Sequence, residues 1–145
     1  MKTLRNRLWI DNDRGGMARY DRDLYHRVND KYPGNPWFIC TLWYADYLTG
    51  LARTEEDLAE SIAILPWVAD HALPSGVLAE QVNPDTGAPL SVSPLTWSHA
   101  TYVASARKIM RWLPIPSPKM PRVREPARRT GRRRRLALEA LWRGL

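Results

Sequence analysis

One carboxylate stands apart from the other acidic residues because of the segment that carries it. Glu80 follows Leu78 and Ala79 in a segment bounded by Gly76 and Pro84. Glycine and proline at these positions favour turns over a continuous helix, and a carboxylate held in such a segment can act as a general acid or base. Most acidic side chains at protein surfaces are merely solvated, so the residues alone also allow a loop carboxylate with no chemical role.

Other chemically competent side chains give weaker signals. His71 and His99 are too far apart for a tight metal-ligand spacing, and no cluster of Cys and His residues supports them. We therefore expect structural, hydrogen-bonded histidines and no metal site. Ser91, Ser93 and Ser98 lack the surroundings of a nucleophilic serine, so turn and capping roles are expected for them.

Composition limits the classes of protein to which the chain can belong. It has 145 residues with seven Trp, which is enough for one ordinary domain with a core. The sequence contains neither the ~18-residue apolar run of a membrane span nor the apolar segment of a signal peptide. Cys40 is the single cysteine, so no intrachain disulfide is expected. These features favour a cytoplasmic location and indicate no membrane partner.

The net charge of +7 is unevenly distributed along the chain. Residues 105–145 contain thirteen of the 22 Lys and Arg but only two of the 15 Asp and Glu, which leaves residues 1–104 net acidic. From residue 114 the sequence is rich in proline and then in arginine, so we predict a domain at 1–113 and a disordered tail at 114–145. The tail allows a nucleic-acid binder as an alternative function, but it lacks interleaved aromatic residues and any known nucleic-acid motif.

Apolar periodicity and capping residues predict an all-α layered fold. Three helices are expected. The first starts at Pro36, with Asn35 as its N-cap, and ends near Gly50. The second is capped by Thr54 and kinked or restarted at Pro66, and the third spans about 94–113 with Ser93 as its N-cap. Residues 1–35 are expected to be irregular, and no alternating strand pattern is present. The first helix is apolar nearly all round, which predicts that Trp37, Phe38 and Trp43 lie in the core.

Four short motifs follow one another along the chain, "ARY" at 18–20, "GNPWF" at 34–38, "AEQ" at 79–81 and "PLTWSHA" at 94–100. Together they resemble the motifs of glycoside hydrolase family 15, which includes glucoamylases, glucodextranases and some bacterial trehalases. Their order and spacing are those of the C-terminal part of the family's catalytic domain, and the resemblance covers about residues 14–112. The fold that it implies is a partial (α/α)6 barrel of the six-hairpin glycosidase type, of which this chain would be the last third.

The resemblance assigns roles to four residues. Family 15 enzymes are inverting, and an inverting glycosidase uses one carboxylic acid to protonate the leaving oxygen and one carboxylate to activate water. Glu80 matches the general base. Arg19, Tyr25 and Trp97 match residues that hold the sugar. No metal or other cofactor is implied.

The resemblance also implies a substrate class, which is α-linked glucosides or α-glucans, hydrolysed as by a glucan 1,4-α-glucosidase. The family's general acid lies upstream in a Trp-Glu motif, and this sequence contains no Trp-Glu pair. The isolated chain is therefore expected to be inactive, and a non-catalytic carbohydrate-binding remnant stays an alternative. Exposed barrel helices such as the one with Trp37 and Trp43 are expected to favour self-association.

Overall fold

A computed structural model of the chain describes residues 2–113. The predicted tail at 114–145, with its proposed disorder and nucleic-acid binding, lies outside the described residues. The elements are four α-helices, one 3₁₀ turn and two short strands, in the order α1 (Lys2–Leu8), α2 (Phe38–Leu51), the 3₁₀ turn (Glu56–Leu58), α3 (Ala59–Asp70), β1 (Gln81–Val82), β2 (Pro89–Leu90) and α4 (Thr96–Met110). Within this part of the chain, no helix is long and apolar enough to cross a membrane.

The helices pack as a layer in which α2 contacts both α3 and α4. α2 is apolar on nearly all sides, which suits a central helix, and its buried residues Phe38 and Leu42 are completely covered. Ile64 and Val68 of α3 and Ile109 of α4 are also buried. The predicted all-α class is therefore confirmed in its main elements.

The start of α2 differs from the prediction. The helix begins at Phe38, and Pro36 and Trp37 are extended because each forms a β-bridge with another segment. Asn35 is not an N-cap; its buried side chain binds the side chain of Gln81 instead. The helix also continues through Gly50 to Leu51.

Three further local predictions were wrong. Residues 1–35 include the helix α1, residues 81–90 contain a two-stranded antiparallel sheet, and Ser93 is not the N-cap of α4, which begins at Thr96. Of the two outcomes predicted at Pro66, a restart does not occur, because α3 includes this residue. Thr54 and Asp57 do exchange hydrogen bonds between side chain and backbone N–H ahead of α3, in the reciprocal pattern of a capping box.

The predicted burial of the aromatic residues of α2 is correct for two of three. Trp37 is 3% exposed and Phe38 is buried, whereas Trp43 is 47% exposed. Trp43 points away from the α2–α3 core and meets Trp97 of α4, with ring centroids 5.6 Å apart. Of the two tryptophans named as examples for self-association, Trp43 is exposed and Trp37 is covered.

Candidate active site

Short extended segments, rather than the helices, bring the candidate residues together. Antiparallel bridges join Trp9 to Met17, Ala18 to Pro36 and Trp37 to Gln81, and β1 pairs with β2. These segments thus form an irregular ladder that begins before residue 10 and ends at residue 90. The ladder sets Arg19, which follows Ala18, and Glu80, which precedes Gln81, on either side of the Pro36-Trp37 segment.

Glu80 is half-buried, and its backbone is fixed on two sides. Its N–H donates to the carbonyl of Val92 at 2.9 Å, and its own carbonyl accepts from the N–H of Phe38 at 3.3 Å. On the side chain, Oε2 accepts a 2.5 Å hydrogen bond from the hydroxyl of Ser91. Since the bond to Ser91 occupies one carboxylate oxygen, the other is available for a water or a ligand.

Ser91 holds this position at a conformational cost. Its φ is +65°, in the left-handed region of backbone conformation that residues other than glycine rarely adopt. The turn after β2 imposes this backbone, and the hydroxyl reaches back across the hairpin to Glu80. The sequence analysis assigned Ser91 a turn role and missed its contact with the carboxylate, because no local pattern connects residues eleven positions apart.

Two buried amides lie beside the carboxylate. The Nδ2 group of Asn35 donates to Oε1 of Gln81 at 2.7 Å and to the carbonyl of His26 at 2.8 Å. Because Oε1 of Gln81 accepts this bond, its NH2 group faces the other way, where it lies 3.5 Å from Oε2 of Glu80. This long contact aligns the amide dipole with the carboxylate and links Glu80 to the loop around His26.

Arg19 forms an ion pair with Asp23, whose side chain is only 1% exposed. Its Nε and Nη2 atoms bind the two oxygens of Asp23 at 3.0 and 2.9 Å, and the N–H of Tyr25 adds a third hydrogen bond at 3.1 Å. Burial raises the pKa of the Asp23 carboxyl, but these hydrogen bonds outweigh burial and hold it below its usual range. The hydrogen bond to Asp23 in turn raises the pKa of Arg19.

Arg19 and Tyr25 share one aromatic neighbour. The guanidinium carbon of Arg19 lies 4.2 Å from the ring centroid of Trp37 and 5.4 Å from that of Tyr25. The rings of Tyr25 and Trp37 are 6.0 Å apart at their centroids. Two of the predicted sugar-binding residues therefore form one cluster on Trp37, and Tyr25 remains 42% exposed.

Trp97 lies in the first turn of α4, which is tied to the segment that carries Glu80. The hydroxyl of Ser98 donates to the carbonyl of Ala79 at 2.8 Å, and the N–H of Leu78 donates to Nε2 of His99 at 3.0 Å. His99 is thus a hydrogen-bonded structural residue, as predicted. These bonds fix the start of α4 beside Glu80 and leave Trp97 53% exposed.

The four predicted residues therefore occupy neighbouring segments without forming direct contacts between charged groups. The carboxylate of Glu80 contacts Ser91 and Gln81, whereas the guanidinium of Arg19 is engaged by Asp23. Among residues 2–113, no group of three or more His, Cys, Asp or Glu side chains could hold a metal ion. The arrangement offers one partly accessible carboxylate, an arginine fork and two exposed aromatic rings.

A layer of helices with a carboxylate, an arginine and aromatic rings on the segments next to it resembles part of an α/α-barrel glycosidase. Comparisons with known proteins give the same class. Residues 56–107 match the family model "Glycosyl hydrolases family 15". A crystal structure of a bacterial glucoamylase complexed with acarbose superposes with a TM-score of 0.61 and 26% identity, over 75% of this chain and 17% of that one.

Two curated relatives show the same similarity. An uncharacterised glycosyl hydrolase of Methanocaldococcus jannaschii is 34% identical over 98 residues, which is 61% of this chain and 15% of the relative. A glucoamylase of Neurospora crassa is 29% identical over 133 residues, covering 63% of this chain and 20% of the relative. The chain thus spans no more than a fifth of these relatives. These matches confirm the resemblance to glycoside hydrolase family 15 that the motifs indicated.

Proposed function

We propose that the chain carries the general-base part of an inverting glycosidase site that acts on α-linked glucosides. In this proposal Glu80 accepts a proton from the water that attacks the anomeric carbon. Arg19, Tyr25 and Trp97 hold the sugar unit. The observation that carries the proposal is the half-buried carboxylate of Glu80, whose Oε2 atom is held by the hydroxyl of Ser91.

The surroundings of Glu80 suit a base rather than a solvated loop acid. A general base must keep one oxygen directed at the attacking water during the reaction. The backbone bonds to Phe38 and Val92 fix the residue, and the Ser91 hydroxyl fixes the rotation of its carboxylate. Position and orientation are therefore set before any substrate arrives, which reduces the entropic cost of the reaction.

The proposed sugar contacts have the chemistry that carbohydrate recognition requires. An exposed indole such as Trp97 presents an apolar face and an N–H donor, and α-glucosides have both C–H faces and hydroxyls. The Asp23 carboxylate holds the guanidinium of Arg19 through Nε and Nη2, which leaves Nη1 as a donor toward a hydroxyl. Tyr25 lies against the same Trp37 ring, with its hydroxyl as a further hydrogen-bonding group.

We further propose that the isolated chain does not hydrolyse maltose or longer glucans. Cleavage of a glycosidic bond needs a carboxylic acid on the leaving oxygen as well as a base, and loss of one such group costs about 10²–10⁴-fold in rate. The sequence contains no Trp-Glu pair of the kind that carries the family's acid. Glucose release from maltose that depends on Glu80 would contradict this part of the proposal.

α-Glucosyl fluoride separates the base from the acid. Fluoride leaves without protonation, so a site that has only the base is expected to hydrolyse this substrate slowly and to release β-glucose. Fluoride release and the anomer of the product are measured with an electrode and by NMR. The Glu80→Gln variant is expected to lose this activity, and Asp11→Asn, which changes an exposed aspartate elsewhere, is the matched control.

The two main outcomes distinguish the proposed function from its alternative. Glu80-dependent formation of β-glucose supports the general base, and formation of α-glucose excludes inversion. Binding of acarbose without any fluoride release, weakened by Trp97→Ala and unchanged by Glu80→Gln, would indicate a non-catalytic carbohydrate-binding remnant. The absence of both binding and turnover would contradict both functions.

A further inference from the structure

We propose a second ligand site, for a small polyhydroxylated molecule of the size of one or two glucose units, between the C-terminal end of α3 and the β1–β2 turn. A cavity of about 430 Å³ lies there, within the roughly 300–1,000 Å³ range of small-molecule sites. Its wall combines carboxylates, one guanidinium, one imidazole, one hydroxyl and one indole. The residues are Asp13, Arg14, Trp67, Asp70, His71 and Thr86, with Gly87 at the edge.

The β1–β2 turn forms one wall and is firmly held. Oδ1 of Asn83 accepts the N–H groups of Asp85 and Thr86 at 2.9 and 3.0 Å, and the N–H of Gly87 donates to the carbonyl of Asn83 at 2.8 Å. Gly87 has a φ of +78°, and a Cβ atom there would lie 3.3 Å from Nη1 of Arg14. The glycine therefore allows the turn to approach the guanidinium closely.

The end of α3 forms the opposite wall. Nδ1 of His71 lies 2.7 Å from the carbonyl of Trp67, and since a carbonyl only accepts, Nδ1 carries the proton. In the neutral ring Nε2 is then an acceptor, and it lies on the side of Gly87, 3.5 Å from where a Cβ atom of that residue would be. The indole N–H of Trp67 donates to the carbonyl of Arg14, which joins this wall to the loop at residues 13 and 14.

The polar groups of the cavity match hydroxyl groups better than they match an ion. Asp13, Asp70 and Nε2 of His71 accept hydrogen bonds, whereas Arg14 donates them, and the described residues 2–113 give no salt bridge to any of the three charged side chains. A simple anion would meet two carboxylates, and a cation would meet the guanidinium. A polyol uses both kinds of group because each hydroxyl donates and accepts.

This cavity is separate from the candidate active site. Glu80 and Ser91 lie at the open end of the β1–β2 hairpin, and the cavity lies at its turn. Residues 80 and 83 alone are separated by about 10 Å along the strand, at roughly 3.3 Å per residue. A sugar in the cavity would therefore not contact the carboxylate of Glu80.

Glucose and maltose titrations of the full chain, observed by NMR, test the proposal. The indole N–H signal of Trp67 and the ring signals of His71 are expected to shift in a saturable way. Asp70→Asn is expected to raise the dissociation constant about fivefold, because one hydrogen bond contributes roughly 1 kcal/mol. Ala63, an exposed residue of α3, also lines the cavity. Ala63→Phe is expected to fill the cavity and abolish the shifts, whereas Asp11→Asn and Glu80→Gln leave them unchanged.

Several outcomes would overturn the second site. They are shifts that do not saturate, shifts that persist in a folded Ala63→Phe variant, and shifts that disappear in Glu80→Gln, which would place the sugar at the candidate active site. Calcium chloride and inorganic phosphate are titrated in parallel. Stronger binding of either ion than of the sugar would show that the site binds that ion and not a polyol. Backbone amide spectra establish that each variant is folded, and Asp70→Asn, an exposed and conservative change, provides the test if Ala63→Phe does not fold.

Discussion

Replacing Arg19 with Met tests whether the buried ion pair organises the loop that carries Tyr25. The change keeps most of the apolar stem over Trp37 but removes both hydrogen bonds to Asp23. Breaking a fully buried pair costs about 3–5 kcal/mol, whereas an exposed pair contributes about 0–1 kcal/mol. Asp23 is 1% exposed but Arg19 is 34% exposed, so we expect a loss of about 2–3 kcal/mol in the free energy of unfolding at pH 7.

The pH dependence has a defined sign. The pKa of Asp23 is lowered in the folded chain, so its pair with Arg19 stabilises the protein above the ordinary aspartate pKa of about 3.9. This contribution is lost as the pH falls through the lowered folded value. In the Arg19→Met variant the guanidinium no longer opposes the effect of burial on the pKa of Asp23, so Asp23 takes up a proton more readily. The wild type and the variant are therefore expected to converge in stability at acidic pH.

Urea unfolding of four proteins measures the pair directly. The wild type, Arg19→Met, Asp23→Asn and the double variant form a thermodynamic cycle, for which we expect a coupling energy of about 2 kcal/mol at pH 7. A loss below about 0.5 kcal/mol for Arg19→Met, or a difference from the wild type that is the same at pH 7 and pH 3, would refute the reasoning.

Three further predictions concern side chains around the site. Burial raises the pKa of the Cys40 thiol to about 12, so a thiol reagent at pH 8 is expected to label it only as fast as the chain opens; rapid labelling without denaturant would contradict this. Ser91→Ala removes the hydrogen bond to Glu80 and keeps the strained φ, so it should lower the free energy of unfolding by about 1 kcal/mol. Ser91→Gly should lower it less, because glycine tolerates that φ. Equal losses for the two variants in urea unfolding would argue against backbone strain. Gly16→Ala would place a Cβ atom 2.6 Å from a ring carbon of Trp67 and should lower the free energy of unfolding by more than about 3 kcal/mol. Gly76 also has a positive φ, but a Cβ atom there would have nothing within 4 Å, so Gly76→Ala should cost about 1–2 kcal/mol. Similar melting temperatures for the two variants would refute the role of the clash.

The sequence alone determined the three longer helices and the turn between the strands. Apolar periodicity and the reciprocal Thr54–Asp57 cap are local signals, so α2, α3 and α4 are close to where they were predicted. The "NPDTG" turn forms for the same reason, because Asn83 binds the backbone of its own neighbours. The family resemblance singled out Glu80, and the comparisons confirm that resemblance over part of the chain.

Only the tertiary structure decided what surrounds Glu80. Asn35 has the residue type of an N-cap, but it binds Gln81, 46 positions away, because a buried amide needs a partner and the ladder of extended segments supplies one. The same ladder turns Ser91 toward Glu80, and the packing of α4 on α2 sets Trp43 beside Trp97. These contacts join segments that are distant in sequence and have no regular period of their own, so no local pattern could have predicted them.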